Sequence, residues 1–182
     1  MSGYPRRLPG DPSREEQIAR MIRVDHAGEY GAKRIYDGQL AVLGRSRVAG
    51  KLRHMAEQEQ RHLDAFDKLI VERRVRPTVL SPLWHAAGFA LGAATALMGA
   101  RAAMACTVAV EEVIDEHYRR QSEALGDAEP ALRSAIDEFR RDEGKHRDIA
   151  LAHGAEQAPA YPALTAAIKT ASRLAIWLST RV

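Results

Sequence analysis

Two glutamate–histidine pairs have a spacing that can do chemistry. Glu59 and His62 are three residues apart, as are Glu143 and His146, so on a helix each pair shares one face a turn apart. A carboxylate and an imidazole aimed at one point are half of a site for iron or manganese. With 14 glutamates and seven histidines in 182 residues, chance alone supplies about half of one such pair. The company each pair keeps matters more. Glu29 precedes Glu59 by 30 residues and Glu111 precedes Glu143 by 32. The series therefore runs Glu, Glu-x-x-His, Glu, Glu-x-x-His, with each gap long enough for one helix to turn back on another. Four carboxylates and two neutral imidazoles balance two divalent cations and leave coordination positions open.

Four helices must position these groups, which is the ligand arrangement of ferritin-like di-iron carboxylate bundles. Helix formers dominate and strand-like alternation is absent, so the fold class is all-α. Residues 1–13, with Pro5, Pro9 and Gly10, read as a disordered lead-in, and residues 14–182 as one ferritin-like domain. Ser13 and Glu16 form a capping box that opens a helix over 14–43, closed by Gly44. In it Asp25, His26 and Glu29 gather on one side, and Gly28 and Gly31 imply a close approach to the backbone. A second helix spans roughly 46–75, with His54, Glu57 and Asp64 on its surface. The third runs from near Ala102 to Leu125. There Glu111 and Glu112 point about 100° apart; Glu111 shares its face with Met104, Thr107 and Tyr118, and Glu112 shares a solvated face with Asp115 and Glu116. The fourth runs from Pro130 to His153.

Composition excludes several classes. Hydrophobic residues are 46% and charged ones 28%, so the chain folds. Cys106 is the single cysteine, so no intrachain disulfide forms. The net charge is +3 and the pI near 9.2, but basic and acidic residues are interspersed without aromatic interleaving, which argues against nucleic acid. No signal peptide is recognisable.

Residues 83–100 carry no Lys, Arg, Asp or Glu, but ten of the eighteen are Ala or Gly. Strongly apolar residues favour insertion by only about 0.3–0.6 kcal/mol each, so this stretch reads as an apolar crossover that lies in a membrane interface or packs on the bundle. A C-terminal amphipathic helix reaching Arg181 carries Leu164, Ile168, Leu174 and Trp177 on one face, with Lys169 and Arg173 opposite. It suits a membrane interface or caps the bundle. Arg73, Arg74, Arg76, Arg101, Lys169 and Arg173 flank both segments as candidate contacts for lipid headgroups.

Four longer stretches carry a resemblance. RVDHAGEYGA at 23–32, RVRPT at 74–78, AMACTVAVEE at 103–112 and PAY at 159–161 resemble the demethoxyubiquinone hydroxylase family of coenzyme Q biosynthesis, from Ile18 to the C-terminus; Gly144 is a minor departure. The resemblance implies a di-iron monooxygenase with two Fe ions held by Glu29, Glu59, His62, Glu111, Glu143 and His146. It implies dioxygen and a polyprenyl benzoquinol as substrates, with electrons from the quinol or from an external reductant. His26, His117 and Tyr118 are the candidates for proton or electron transfer beside the substrate. Asp142 is expected to bond His62, and Gln58 to bond His146. A substrate this insoluble implies peripheral attachment to a membrane surface: the cytoplasmic face of a bacterial inner membrane, or the matrix face in mitochondria. A lipid-binding accessory protein of the pathway and a homo-oligomer fit the same reading. The alternatives are a ferritin-type iron store, a related quinol oxidase and a metal-free helical interaction module.

Overall fold

Ser13 starts the first helix by the expected device. Its hydroxyl oxygen accepts the Glu16 backbone N–H at 3.0 Å, and the Glu16 carboxylate accepts the Ser13 backbone N–H at 2.5 Å. The computed structural model describes residues 10–182, and among these every regular element is helical. In order they are α1 (Arg14–Leu43), α2 (Ala49–Glu72), α3 (Ser81–Leu97), α4 (Ala100–Leu125), α5 (Pro130–Ala152) and α6 (Tyr161–Ser179). Short 3₁₀ turns follow α4 and α5, at Gly126–Ala128 and Ala155–Gln157. The expected lead-in over residues 1–13 falls, for its first nine residues, outside the described part. The second helix is shorter than its apolar pattern predicted, because Val48 offers no side-chain cap and the backbone turns at Arg73.

Helices α1, α2, α4 and α5 enclose the core, and its register follows from one spacing. Seven residues are two helical turns, so positions i−7 and i+7 share the face of residue i. Around Glu29 these are Ile22 and Tyr36; around Glu59, Leu52 and Phe66; around Glu111, Met104 and Tyr118; around Glu143, Ile136 and Ala150. All eight are at most 2% exposed. Each glutamate is thus clamped between two apolar layers. One layer joins Tyr36, Leu52, Met55 and Met104; the other joins Ile22, Phe66, Tyr118 and Ile136. Burying such side chains stabilises the fold by about 1.5–3 kcal/mol each, which offsets the cost of placing carboxylates between them.

The two remaining helices cover one side of this core, α3 along α1 and α6 along α4. Helix α3 approaches α1 at backbone contact. A Cβ on Gly92 would stand 1.9 Å from the Ile35 carbonyl oxygen, and one on Gly38 would stand 2.2 Å from that of Phe89. Gly99, at φ +110°, then lets α4 begin three residues after α3 ends. Among the described residues no helix is long and apolar enough to cross a membrane. The apolar crossover packs on the bundle, although Leu83, Leu97 and Met98 remain more than half exposed.

Candidate metal centre

The clamped glutamates converge with the two histidines in two overlapping groups. Glu29, Glu59, His62 and Glu143 form one; Glu59, Glu111, Glu143 and His146 form the other. In each, one ligand atom per residue lies within 4.8 Å of all the others. Glu59 and Glu143 belong to both, so the single glutamates and the histidines sort as Glu29 with His62 and Glu111 with His146. His62 Nδ1 is 3.1 Å from Glu143 and 3.4 Å from Glu29; His146 Nδ1 is 3.1 Å from both Glu59 and Glu143.

This cluster could hold metal ions. Six buried atoms in it have no hydrogen-bond partner: Glu29 Oε2, both Glu59 oxygens, His62 Nδ1, Glu111 Oε2 and Glu143 Oε1. An unpaired buried polar group costs about 1–3 kcal/mol, and more when charged. Burial raises the carboxyl pKa of Glu59 and Glu111 well above the usual range, and the nearby Glu143 carboxylate adds to both. Burial also raises Glu143, against the opposing pull of the nearby His62. For His62 burial opposes charge, but contacts with Glu143 and Glu29 outweigh it and push the pKa up to about 10. Burial lowers His146. Divalent cations remove this frustration by supplying partners to the orphaned atoms and charge to the carboxylates.

The outer nitrogens of both histidines are also held. His62 Nε2 lies 3.5 Å from Asp142 Oδ2, and His146 Nε2 lies 3.1 Å from Gln58 Oε1. Asp142 and Gln58 each directly precede a cluster glutamate, one on α5 and one on α2, and each reaches across to the other helix. Phe139 stacks on His62 at 4.2 Å and fixes its ring plane. Replacing Asp142 with alanine is expected to weaken metal binding about 10- to 100-fold. Competition with a chelator reads this directly, and unchanged affinity would show that Phe139 alone holds the ring.

Two tyrosines complete a pattern that apolar periodicity conceals. Tyr36, seven residues after Glu29, donates its hydroxyl to Glu111 at 2.7 Å. Tyr118, seven residues after Glu111, donates to Glu29. Each single-carboxylate helix therefore carries the tyrosine that holds the other's glutamate. In the sequence Tyr36 reads only as part of an apolar stripe; the shared Glu-x6-Tyr spacing was the available signal.

The two halves differ in what lies outside them. A cavity of about 180 Å³ opens between α1, α3, α4 and α6 and reaches Glu29, His117 and Tyr118. Apart from these, Asp25 and two serines, its walls are apolar, with Trp84, Leu91, Ile114 and Ile176 among them. The Trp84 indole N–H donates to Ser179 at 3.0 Å, joining α3 to α6 beside it. Gly28 and Gly31 line the floor, and no protein atom lies within 4 Å of a Cβ built on either. At Gly31 the close approach that they implied is made by α3, since a Cβ on Gly88 would stand 2.8 Å from the Gly31 carbonyl oxygen; Gly28 faces open cavity. Glu111 lies behind Val110 and Ile114 and does not line it.

One sequence expectation is corrected. His26 does not join Asp25 and Glu29 on the cavity side; it turns toward α2, where its Nε2 meets Asp67 at 2.9 Å. Its position, three residues before Glu29, rotates it about 60° off that face. Lys169 and Arg173, expected opposite the apolar face, pair with Glu112 and Glu116 on α4, and Arg73 pairs with Glu129.

Bundles in which each half supplies a glutamate and a Glu-x-x-His pair make up the ferritin-like class, and this fold and cluster place the chain there. Within that class it belongs to the family described as Ubiquinone biosynthesis protein COQ7, which matches residues 16–179. It is 63% identical over 177 residues to the 3-demethoxyubiquinol 3-hydroxylase of Rhodospirillum rubrum, covering 97% of this chain and 84% of that protein. Similarity extends to the human NADPH-dependent 3-demethoxyubiquinone 3-hydroxylase, mitochondrial, at 54% identity over 91% of this chain and 78% of that one. The Saccharomyces cerevisiae 5-demethoxyubiquinone hydroxylase, mitochondrial, is 44% identical over 91% and 78%.

Proposed function

We propose that this chain is an oxygen-dependent 3-demethoxyubiquinol 3-hydroxylase whose centre, held by Glu29, Glu59, His62, Glu111, Glu143 and His146, binds two iron ions, and that residues 14–182 act as one domain. The observation that carries the reading is an apolar cavity ending on Glu29 and Tyr118 at the centre's edge. A cavity of roughly 150 Å³ takes one benzene ring, so about 180 Å³ suits the substituted quinol head and leaves the polyprenyl tail to exit along the walls of α3 and α6. A ferritin-type store needs a polar path for ions, and these walls offer none.

When bound, the iron pair supplies the activation of dioxygen from which one atom enters the ring. The chain's residues do the rest. Val110, Ile114 and Leu91 exclude water and press the ring toward Glu29. His117 and Tyr118 border the place where a quinol hydroxyl would lie, and their ring nitrogen and phenol can exchange its proton. His26, facing α2, takes no part. Electrons come from the quinol or from an external reductant.

Attachment to a membrane surface follows from the same cavity. Leu83 on α3 and Leu174 and Trp177 on α6 are half exposed beside its walls, and Arg74, Arg76 and Arg101 are exposed cations available to anionic headgroups, at about 1 kcal/mol each. Exposed Val71 and Val79 offer apolar surface to a lipid-binding accessory protein or to a second copy. We place the protein on the cytoplasmic face of a bacterial inner membrane, or on the matrix face in mitochondria. Flotation with anionic vesicles is expected to show binding that high salt weakens without abolishing, since apolar contact persists. Release only by detergent would mean a true span.

The activity is tested in a strain lacking its own hydroxylase. Expression of this chain should convert accumulated demethoxy precursor to mature quinone, read by mass spectrometry. Persistent precursor despite expressed, iron-loaded protein would reject the assignment.

A further inference from the structure

Two consecutive residues of α4 hold two carboxylates one turn apart on α1. Tyr118 donates to Glu29, and His117 Nε2 lies 3.0 Å from Asp25 Oδ1. Asp25 is 2% exposed and lines the cavity together with His117. The same Asp25 oxygen accepts the side-chain N–H of Gln121, which is itself buried, at 2.8 Å. The two nitrogens that converge on this oxygen are 2.8 Å apart. Nothing in the hydroxylase reading so far uses Asp25 or Gln121, yet a buried carboxylate is costly to keep without a task.

We infer that Asp25, steadied by Gln121, is the positioning residue that fixes the tautomer and ring orientation of His117 for proton exchange with the quinol; the inference rests on the function proposed above. A carboxylate only accepts, so the 3.0 Å contact is a hydrogen bond when Nε2 carries the proton; the Gln121 N–H is then spent on the same Asp25 oxygen and not on Nε2, 2.8 Å from it. In a neutral imidazole the other nitrogen, Nδ1, is then a bare acceptor. No described protein group bonds Nδ1, and the ring stands in the cavity wall. Nδ1 can therefore take the proton of a quinol hydroxyl: the O–H bond breaks, an N–H bond forms, and the imidazolium is stabilised by the Asp25 carboxylate. Gln121 removes the alternative in which the carboxylate swings away. The arrangement follows the general logic of a base oriented by a third group.

The test uses full-length, iron-loaded protein and a short-chain demethoxyubiquinol. Asp25→Asn keeps the shape and removes the charge. It is expected to lower kcat about 10²- to 10⁴-fold, the usual worth of a positioned base, while KM and iron content stay within about twofold. His117→Ala should lose as much, and adding Asp25→Asn to it should cost nothing further, because the two act as one unit. Wild-type kcat in Asp25→Asn, or losses that multiply in the double variant, would overturn the inference. A second measurement needs no variant: nitrogen-15 NMR of the wild-type protein with zinc, which is diamagnetic, in the site should show His117 protonated at Nε2. Protonation at Nδ1 overturns the inference. Failure of the wild-type protein to turn over the quinol would strike at the substrate assignment, and the tautomer would still decide the place of Asp25.

Discussion

Glu143→Gln is expected to abolish hydroxylation and, at the same time, to make the metal-free protein more stable. Glu143 belongs to both ligand groups, so its loss damages both metal positions where loss of Glu29 or Glu111 damages one. Metal content should fall by half or more and turnover below detection. The metal-free protein gains because its cluster is frustrated: four glutamates lie buried together, and six of their atoms and His62's lack partners. A neutral amide in place of one carboxylate relieves repulsion felt by Glu59 and Glu111, worth roughly 1–3 kcal/mol. For a chain of this size that is about 2–12 °C in Tm. Unchanged metal content, or a lower metal-free Tm, would refute the assignment of Glu143 to both groups.

The same frustration sets a pH dependence in the wild-type protein. Glu59, Glu111 and Glu143 have folded pKa values above their ordinary 4.5. Their stabilising contribution is therefore present below that value and lost as pH rises through the raised ones. His62 acts with the same sign, its contribution present below 6.5 and lost as pH rises through about 10. The lowered His146 acts oppositely, but only as pH falls below 6.5. Metal-free Tm should hence fall from pH 6.5 to 9, whereas metal affinity rises over that range because protons compete for the same atoms. Thermal melts with and without chelator would show the two trends, and Glu143→Gln should flatten the first.

Gly92→Ala is expected to cause the largest loss of stability of any single methyl added to this fold. The new Cβ would meet the Ile35 carbonyl oxygen at 1.9 Å and its carbon at 2.8 Å. These are backbone atoms of α1, which cannot rotate away, so α3 must lift. Overpacking of this kind costs about 1–3 kcal/mol or more, against which the helix propensity of alanine returns about 1 kcal/mol. The lift also moves Trp84 and Leu91, which wall the cavity, so activity falls with Tm. Gly28→Ala is the control. Its Cβ meets nothing within 4 Å, so it should stabilise by up to about 1 kcal/mol, yet narrow the cavity and raise KM. Equal Tm changes in the two variants would mean that α3 does not depend on this contact.

Much of this was legible in the chain because helical periodicity is a local property. Glu-x-x-His spacing, the apolar residues seven positions either side of each glutamate, the Ser13–Glu16 box and Pro130 at the start of α5 each depend on neighbours along one helix. They were enough to predict four helices, their approximate limits and the faces on which Glu29, Glu59, Glu111 and Glu143 lie. Even the reach of Asp142 to His62 and of Gln58 to His146 followed from the repeated register of the two halves.

The other contacts between helices could be settled only by the tertiary structure, because which faces meet depends on rotations and offsets that no single helix encodes. It sorted Glu29 with His62 and Glu111 with His146, and it turned His26 to Asp67 while bringing Asp25 to His117. It tied Lys169 and Arg173 to α4, where sequence alone set them opposite the apolar face. It also broke the symmetry of the halves: α3 and α6 both lie against α1 and α4, so Tyr118 borders a cavity while Tyr36, its counterpart in spacing and bonding, is sealed by Met55 and Met104. The placement of α3 came from glycines that let two backbones touch, an interaction visible only when both partners are in place.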